Sequence, residues 1–328
     1  MTIKFQISET ANFWHFVSNL VSWHDSVRLY YRDYWLDQTG DFTEIEEKCL
    51  EKLKDFFKKY TYGENYWGKV FLLGNNNVWE KAGQKFTASE IELLKEASEV
   101  FYRRFRKIWD IDQHLLKVWK IRLEKTSKRF VTESLIQDLD VFFNYKQPLK
   151  SVTVFLLMCE KRNDPAGGGA NLGKGYLTLE VSRADYDAIR PAWLLFWHEL
   201  THNLWQEDSS TYQQLRRDFS DQMKNEGLDG KILQIPTSRI INEVVVDSLF
   251  PKGYLAKKHF DFPVELIFNR FGEGSKKRFK VEDWHYYFAY TLKDLAKDYI
   301  ENGKAIDMDF FKEIKKQYIR FSKDFRRS

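Results

Sequence analysis

Two histidines and a glutamate lie close together in the segment FWHELTHNLW, residues 196–205. His198 and His202 are four residues apart, so on a helix their rings project from one face, a turn apart. At that spacing two neutral imidazole nitrogens can bind one tetrahedral Zn²⁺, while Glu199 reaches toward a water molecule beside it. With seven histidines in 328 residues, chance would produce this pattern about 0.01 times. The segment therefore predicts a zinc site.

The residues around the motif predict a buried helix. Pro191 suits the first turn of such a helix, because the proline nitrogen has no hydrogen to leave unpaired there. A charged residue close to the histidines would argue against burial. Six positions close to the histidines are uncharged, which favours burial: Leu195, Phe196, Leu200, Thr201, Asn203 and Leu204.

A catalytic zinc ion needs a third protein ligand and an open position. The segment RIINEVVVDSLF, residues 239–250, offers Glu243 and Asp247. We predict a helix here rather than a strand, begun by Thr237 or Ser238 and ended near Pro251, because both acids then share one face with Ile240 and Val244. Two carboxylates on an apolar face are costly unless a positive group lies there.

The two segments together resemble the gluzincin metallopeptidases, the thermolysin-like and zinc aminopeptidase-like enzymes. The resemblance implies three zinc ligands, namely His198, His202 and Glu243. It further implies that Glu199 is the general base and that Asp247 accepts a hydrogen bond from the ring of His198. Asn242, next to the third ligand, is a second residue expected to support the site. The first 145 residues have no part in the resemblance.

Asp208 is a rival third ligand. It follows His202 by six residues, the spacing of the metzincin-like HExxHxxGxxH site and its Asp variant. That arrangement needs a glycine to break the helix, and this chain has Trp205 at that position. We therefore favour Glu243.

The resemblance also implies a Tyr or His side chain that stabilises the oxyanion of the reaction. The segment VEDWHYYFAYTL, residues 281–292, offers His285 as the candidate. A histidine on an apolar helix stripe can equally be a core residue.

The pattern of apolar residues predicts an α+β fold. Residues 1–147 are expected to form a mostly helical region, with a short strand within residues 61–77. For residues 148–328 the pattern predicts a small sheet, a helix that carries the histidines and a helical C-terminal lobe, and the resemblance to gluzincins implies that they form a zincin-like core. Ser151–Cys159 is expected to form a buried strand, and the glycine-rich stretch after it is expected to form a loop. Tyr176–Val181 is expected to form an edge strand along which an extended peptide could lie.

Composition restricts the classes of partner. The net charge of +4 is small, and acidic and basic residues are interleaved, so we expect no nucleic acid partner. No apolar run is long enough to cross a membrane, and the first residues lack the features of a signal peptide. The two cysteines are far apart, which does not suggest a disulfide scaffold. We expect a cytoplasmic protein.

These observations predict a zinc-dependent hydrolase, a metallopeptidase whose partner is a peptide or protein substrate. Glu199 would take a proton from the attacking water. Two alternatives stay open: a metal-binding pseudoenzyme or interaction protein, and a zinc hydrolase that acts on another bond.

Overall fold

The structure is a computed structural model of the 328-residue chain. It describes all residues except 24–28, 62, 75–76, 148–150, 160–165, 184–188, 230–235, 262–283 and 327–328. Helices dominate and one small sheet accompanies them, so the predicted α+β class is confirmed. Within the described ranges, no helix has the length and apolar character that crossing a membrane requires.

Four strands form one mixed sheet in the order β1-β2-β4-β3. They are β1 (Thr2–Gln6), β2 (Ser151–Cys159), β3 (Ala166–Gly173) and β4 (Tyr176–Ser182). β1 and β4 lie parallel to β2 on either side of it, and β3 is antiparallel to β4. The central position of β2 fits its sequence, because a strand covered on both faces reads as a continuous apolar run.

The sheet differs from prediction at its glycine-rich side. Residues 166–173 form a strand where we expected a loop, and β4 is therefore an inner strand rather than the edge. Side chains of β4 help to hold the glycine backbone in place. The Ala170 amide donates to Thr178 Oγ1 at 2.8 Å, and the Gly168 amide donates to Glu180 Oε2 at 2.9 Å. Pairing with a neighbour thus overrides the weak strand preference of glycine.

The chain packs as two compact units. The first unit contains residues 1–126 and 150–193, and the second contains residues 127–149 and 194–328. The boundary expected from the sequence, between residues 147 and 148, does not coincide with this division. The reason is the sheet: Thr2 pairs with Ser151 and Gln6 with Phe155, so residues from both sides of that boundary share one set of backbone hydrogen bonds.

The helices of the first unit precede the sheet's central strand in sequence. They are α1 (Glu9–Asn19), α2 (Leu29–Thr39), α3 (Glu44–Lys59), α4 (Gly68–Phe71), α5 (Val78–Lys85) and α6 (Ala88–Phe130), whose last turn enters the second unit. Thr43 and Glu46 form a capping box at the start of α3, as Thr87 and Glu90 do at α6. The short strand expected within residues 61–77 is wrong, since α4 occupies its apolar part.

The described residues of the second unit form helices joined by turns and loops, with no strand among them. Its elements are α7 (Glu133–Phe142), the end of α8 (Ile189–Leu200), a π-helical turn (Thr201–Gln206), α9 (Ser210–Asn225), α10 (Thr237–Asp247), α11 (Tyr254–Phe260), α12 (Trp284–Glu301) and α13 (Met308–Arg326). The helix predicted around Glu243 is confirmed. Pro236 is its N-cap, so the predicted capping by Thr237 or Ser238 is wrong.

Candidate metal centre

The HELTH segment spans the end of α8 and the π-helical turn that follows. His198 lies in the last turn of α8, and His202 lies in the π-helical turn. The helix is anchored by large buried side chains: Phe196, Trp197 and Trp205 have no measurable exposure. Burial of these rings accounts for the uncharged residues on either side of the histidines. Single π-helical turns are uncommon and occur frequently at functional sites.

Glu243 of α10 brings a carboxylate to the two imidazoles. The two Nε2 atoms of His198 and His202 are 3.1 Å apart, and Glu243 Oε2 lies 3.4 Å from each of them. Ligand atoms at tetrahedral angles and about 2.0–2.2 Å from a zinc ion are separated by about 3.3–3.6 Å. The two nitrogen–oxygen sides of the triangle match this range and the nitrogen–nitrogen side is slightly shorter, so the triangle is close in size to that of three ligands on a tetrahedral zinc ion.

The opposite nitrogen of each ring faces a hydrogen-bond acceptor. His198 Nδ1 lies 3.2 Å from the backbone carbonyl of Phe250, which can only accept. His202 Nδ1 lies 2.7 Å from Gln206 Oε1. The amide of Gln206 is oriented by its other end, because Nε2 donates to the carbonyl of Asn242 at 2.9 Å. Both Nδ1 atoms therefore carry hydrogen, and in the neutral rings both Nε2 atoms present lone pairs.

Two lone pairs and a carboxylate oxygen within 3.4 Å of one another repel unless a positive charge lies among them. The pKa values of the two rings reflect this demand. Burial alone lowers the pKa of His198, but the hydrogen bond to Glu243 and the charge of Asp247 outweigh burial and raise it to about 10. Burial likewise lowers the pKa of His202, and Glu243 raises it above its ordinary value. Both raised pKa values show that the cluster favours a positive charge among its donor atoms.

Glu243 responds in the opposite direction. Burial raises its pKa, but His202 and His198 outweigh burial and hold the pKa well below its ordinary value. The Glu243 side chain is 29% exposed, compared with 10% for the side chain of His198 and 16% for that of His202. The carboxylate is therefore ionised and reachable from solvent, as a ligand beside an open coordination position must be.

Asp247 connects the cluster to His285. Its Oδ2 accepts a hydrogen bond from His285 Nδ1 at 2.6 Å, while its Oδ1 lies 3.7 Å from His198 Nδ1. The latter distance is beyond a hydrogen bond, so Phe250 rather than Asp247 provides the direct acceptor for His198. Asp247 acts on that ring through its charge.

His285 is not a core histidine. Its side chain is 41% exposed, and its ring stacks on Trp284 with centroids 3.6 Å apart. The hydrogen bond to Asp247 fixes one ring nitrogen. The Asp247 carboxylate therefore lies between His285, the residue predicted to stabilise an oxyanion, and His198, a candidate zinc ligand.

Asn242 supports the site through both its backbone and its side chain. Its carbonyl accepts from Gln206, and its Oδ1 accepts from the hydroxyl of Tyr212 at 3.1 Å. Gln206 Nε2 also reaches the Tyr212 oxygen at 3.0 Å. A buried network of three polar side chains therefore connects α9 and α10 to the ring of His202.

The other two predicted residues occupy different positions. Glu199 is half-buried, and its charge is among the causes that raise the pKa of His198 and of His202. Asp208 is not part of the cluster, and its Oδ2 accepts from the hydroxyl of Tyr145 at 3.5 Å. Among the described residues, the cluster that could hold a metal ion consists of His198, His202 and Glu243.

The sequence interpretation missed Gln206, Tyr212 and the Phe250 carbonyl. Gln206 follows His202 by four residues, so the spacing that relates the two histidines could have indicated it. Tyr212 and the carbonyl leave no such signal, because their positions depend on how α9 and the segment after α10 pack.

Comparison with protein-family models, with curated proteins and with solved structures finds no match.

Proposed function

We propose that this protein is a zinc-dependent hydrolase, a metallopeptidase with a zincin-like core. The observation that carries the proposal is the triangle of His198 Nε2, His202 Nε2 and Glu243 Oε2, with sides of 3.1, 3.4 and 3.4 Å. Nitrogen and carboxylate donors at this separation suit zinc better than magnesium or calcium, which prefer oxygen ligands.

The chain's own residues have separate roles in this proposal. A bound zinc ion would polarise the substrate carbonyl and make a water molecule more acidic. Glu199 accepts a proton from the attacking water and later donates it to the leaving amine. His285, held through Nδ1 by Asp247, donates from Nε2 in its doubly protonated form to the carbonyl oxygen as negative charge develops there. The substrate is a peptide or protein.

Metal content is the first test. Protein purified without chelators should contain close to one zinc ion per chain, and His198→Ala, His202→Ala and Glu243→Ala should each abolish stoichiometric zinc. Asp208→Ala is the matched control, because this acid follows the same helix but lies outside the cluster. Zinc that depends on Asp208 and not on Glu243 would contradict this ligand set.

Catalysis is tested separately from metal binding. Glu199→Gln keeps the shape of the side chain and removes the base, so we expect the variant to keep its zinc while hydrolysis falls by about 10²–10⁴-fold. A mixed peptide library analysed by mass spectrometry measures both proteins side by side. Equal cleavage by both would rule out Glu199 as the base. Stoichiometric zinc without cleavage of any peptide would favour a metal-binding protein over a peptidase.

A further inference from the structure

The first unit contains a polar cavity of about 200 Å³. Its walls come from α1, α2, the segment around α4, and strands β2, β3 and β4. All of its described lining residues belong to this unit, and none of them belongs to the histidine cluster. Drug-sized pockets have volumes of about 300–1,000 Å³, so this cavity suits a smaller molecule.

Glu180 provides the charge of the cavity. It is the one acidic residue in the described lining, which contains no lysine or arginine. Glu180 Oε2 accepts from the Gly168 amide at 2.9 Å and from the Tyr31 hydroxyl at 3.4 Å. Within the described part of the chain, the nearest basic group is His15 Nδ1, which is 3.9 Å from Oε1. The Glu180 side chain is 22% exposed, so a ligand can reach its carboxylate.

His15 is neutral and presents a hydrogen-bond donor. Burial lowers its pKa more than the Glu180 charge and the Met158 carbonyl raise it. Asn19 Nδ2 donates to the carbonyl of His15 at 2.8 Å and lies 3.3 Å from His15 Nδ1. Because this amide nitrogen is a donor, Nδ1 must accept, and the ring hydrogen is on Nε2.

Two buried N–H groups of the lining have no partner within hydrogen-bond geometry among the described residues. They are His15 Nε2 and Trp67 Nε1, on residues that are 5% and 2% exposed. The Met158 carbonyl acts on the His15 ring but does not meet hydrogen-bond geometry with Nε2, so Trp67 is the donor without a competing acceptor. A buried donor without an acceptor costs about 1–3 kcal/mol. An occupant with an acceptor oxygen would remove that cost.

Aromatic rings form much of the remaining wall. Trp23 and Trp67 are 5.9 Å apart at an interplanar angle of 81°, and Tyr66 and Trp67 are 5.5 Å apart at 60°. Tyr31 lines the cavity beside the carboxylate. Faces of such rings attract cations, above all where water is displaced. A carboxylate among aromatic rings is an arrangement that recognises an ammonium group.

We propose that this cavity binds a small primary ammonium compound that also carries a hydroxyl or carbonyl oxygen. The ammonium group pairs with Glu180, and the oxygen accepts from Trp67 Nε1. Water alone would satisfy the donors but would leave the carboxylate without a countercharge from the described lining, which is why we favour an organic cation.

Matched probe compounds test the proposal. Ethanolamine and glycinamide carry the ammonium group, and ethylene glycol and glycolamide replace it with a neutral hydroxyl. Titrations of the full chain at millimolar concentrations are followed through the backbone amide signals of Gly168 and Ala170, which line the cavity. We expect saturable shifts with the two amines and none with their neutral counterparts. Equal shifts within each pair, or no shift with either amine, would overturn the proposal.

Variants identify the groups responsible. Glu180→Gln retains an acceptor for Gly168 and removes the charge, so it should weaken amine binding by about tenfold or more. Trp67→Phe keeps an aromatic ring and removes the donor, and it should weaken binding several-fold. Glu96→Gln is the control, because this acid is exposed and pairs with Lys52. Undiminished binding by Glu180→Gln would contradict the proposal. Repeating the titration with His198→Ala excludes amine binding at a metal ion.

Discussion

The two imidazoles of the candidate metal centre are oriented by acceptors of different kinds. A main-chain carbonyl holds His198, and a side-chain amide holds His202. The carbonyl cannot be changed by substitution, whereas the amide of Gln206 can. Such supporting hydrogen bonds fix the tautomer of a metal-binding histidine and make its other nitrogen a better ligand.

Gln206 provides a test of this positioning role. Gln206→Leu leaves the ring hydrogen of His202 without its acceptor, so we expect zinc affinity to fall by about 10–100-fold. Competition with a chelator of known affinity measures the loss. Gln214→Leu is the matched control, since this glutamine is exposed and bonds only to other surface side chains. If both variants hold zinc as the wild type does, Gln206 has no role in positioning the ligand.

At the scale of single elements, the start of α6 is joined to the end of α3 by one carboxylate. Glu90 accepts from the backbone amide of Thr87 at 2.8 Å, from Lys59 at 2.8 Å and from the Tyr60 hydroxyl at 3.0 Å. Burial raises the pKa of Glu90, but these hydrogen bonds outweigh it and lower the pKa to about 2.

This pKa predicts a pH dependence of stability. An unfolded glutamate titrates near pH 4.3, so the contribution of Glu90 is complete above that pH and is lost as the pH falls toward 2. The shift in pKa sets an upper bound of about 3 kcal/mol on the contribution of Glu90 to the free energy of unfolding, and solvent screening reduces this contribution to about 1 kcal/mol. The gap in unfolding free energy between wild type and Glu90→Gln, measured by denaturant titration, should shrink between pH 5 and pH 2. Glu92 is exposed, so Glu92→Gln should have the same unfolding free energy as the wild type across this pH range. A difference between wild type and Glu90→Gln that grows as the pH falls would contradict the lowered pKa of Glu90.

The sequence predicted elements best where one local pattern was sufficient. Spacing placed His198 and His202 on one helix face, and the same reasoning made Glu243 a helical residue despite three adjacent valines. The failures arose where a distant neighbour decides the structure. A glycine-rich stretch became β3 because the amides of Gly168 and Ala170 reach side chains of β4, and no local preference of glycine indicates this.

At the scale of the molecule, Arg104 connects three segments of the first unit through polar contacts. From α6 it makes two hydrogen bonds to Glu46 of α3, at 2.8 and 2.7 Å. It also donates to Thr39 Oγ1 at 2.9 Å and to the carbonyls of Gly40 and Asp41. Arg104 and Glu46 are each 8% exposed, so neither can exchange its partner for bulk water.

Removing this arginine should destabilise the fold strongly. Arg104→Met fills similar space but leaves the Glu46 charge buried and unpaired, which costs about 3–5 kcal/mol. Arg106→Met is the control two residues away, because that side chain is 39% exposed and its ion pairs with Glu9 and Asp110 are at the surface. The control should cost at most about 1 kcal/mol. Denaturant unfolding followed by circular dichroism compares them, and a similar small loss in both variants would contradict this role for Arg104.

The parallel pairing of β1 with β2 has a consequence for synthesis on the ribosome. Gln6 is matched with Phe155, so 149 further residues must be added before this pair can form. At about 5–20 residues per second, the first strand waits about 7–30 s for its partner. During that interval its amides and carbonyls have no strand beside them, and the helices made meanwhile have no sheet to cover. The first unit therefore completes its fold only after translation has passed β4.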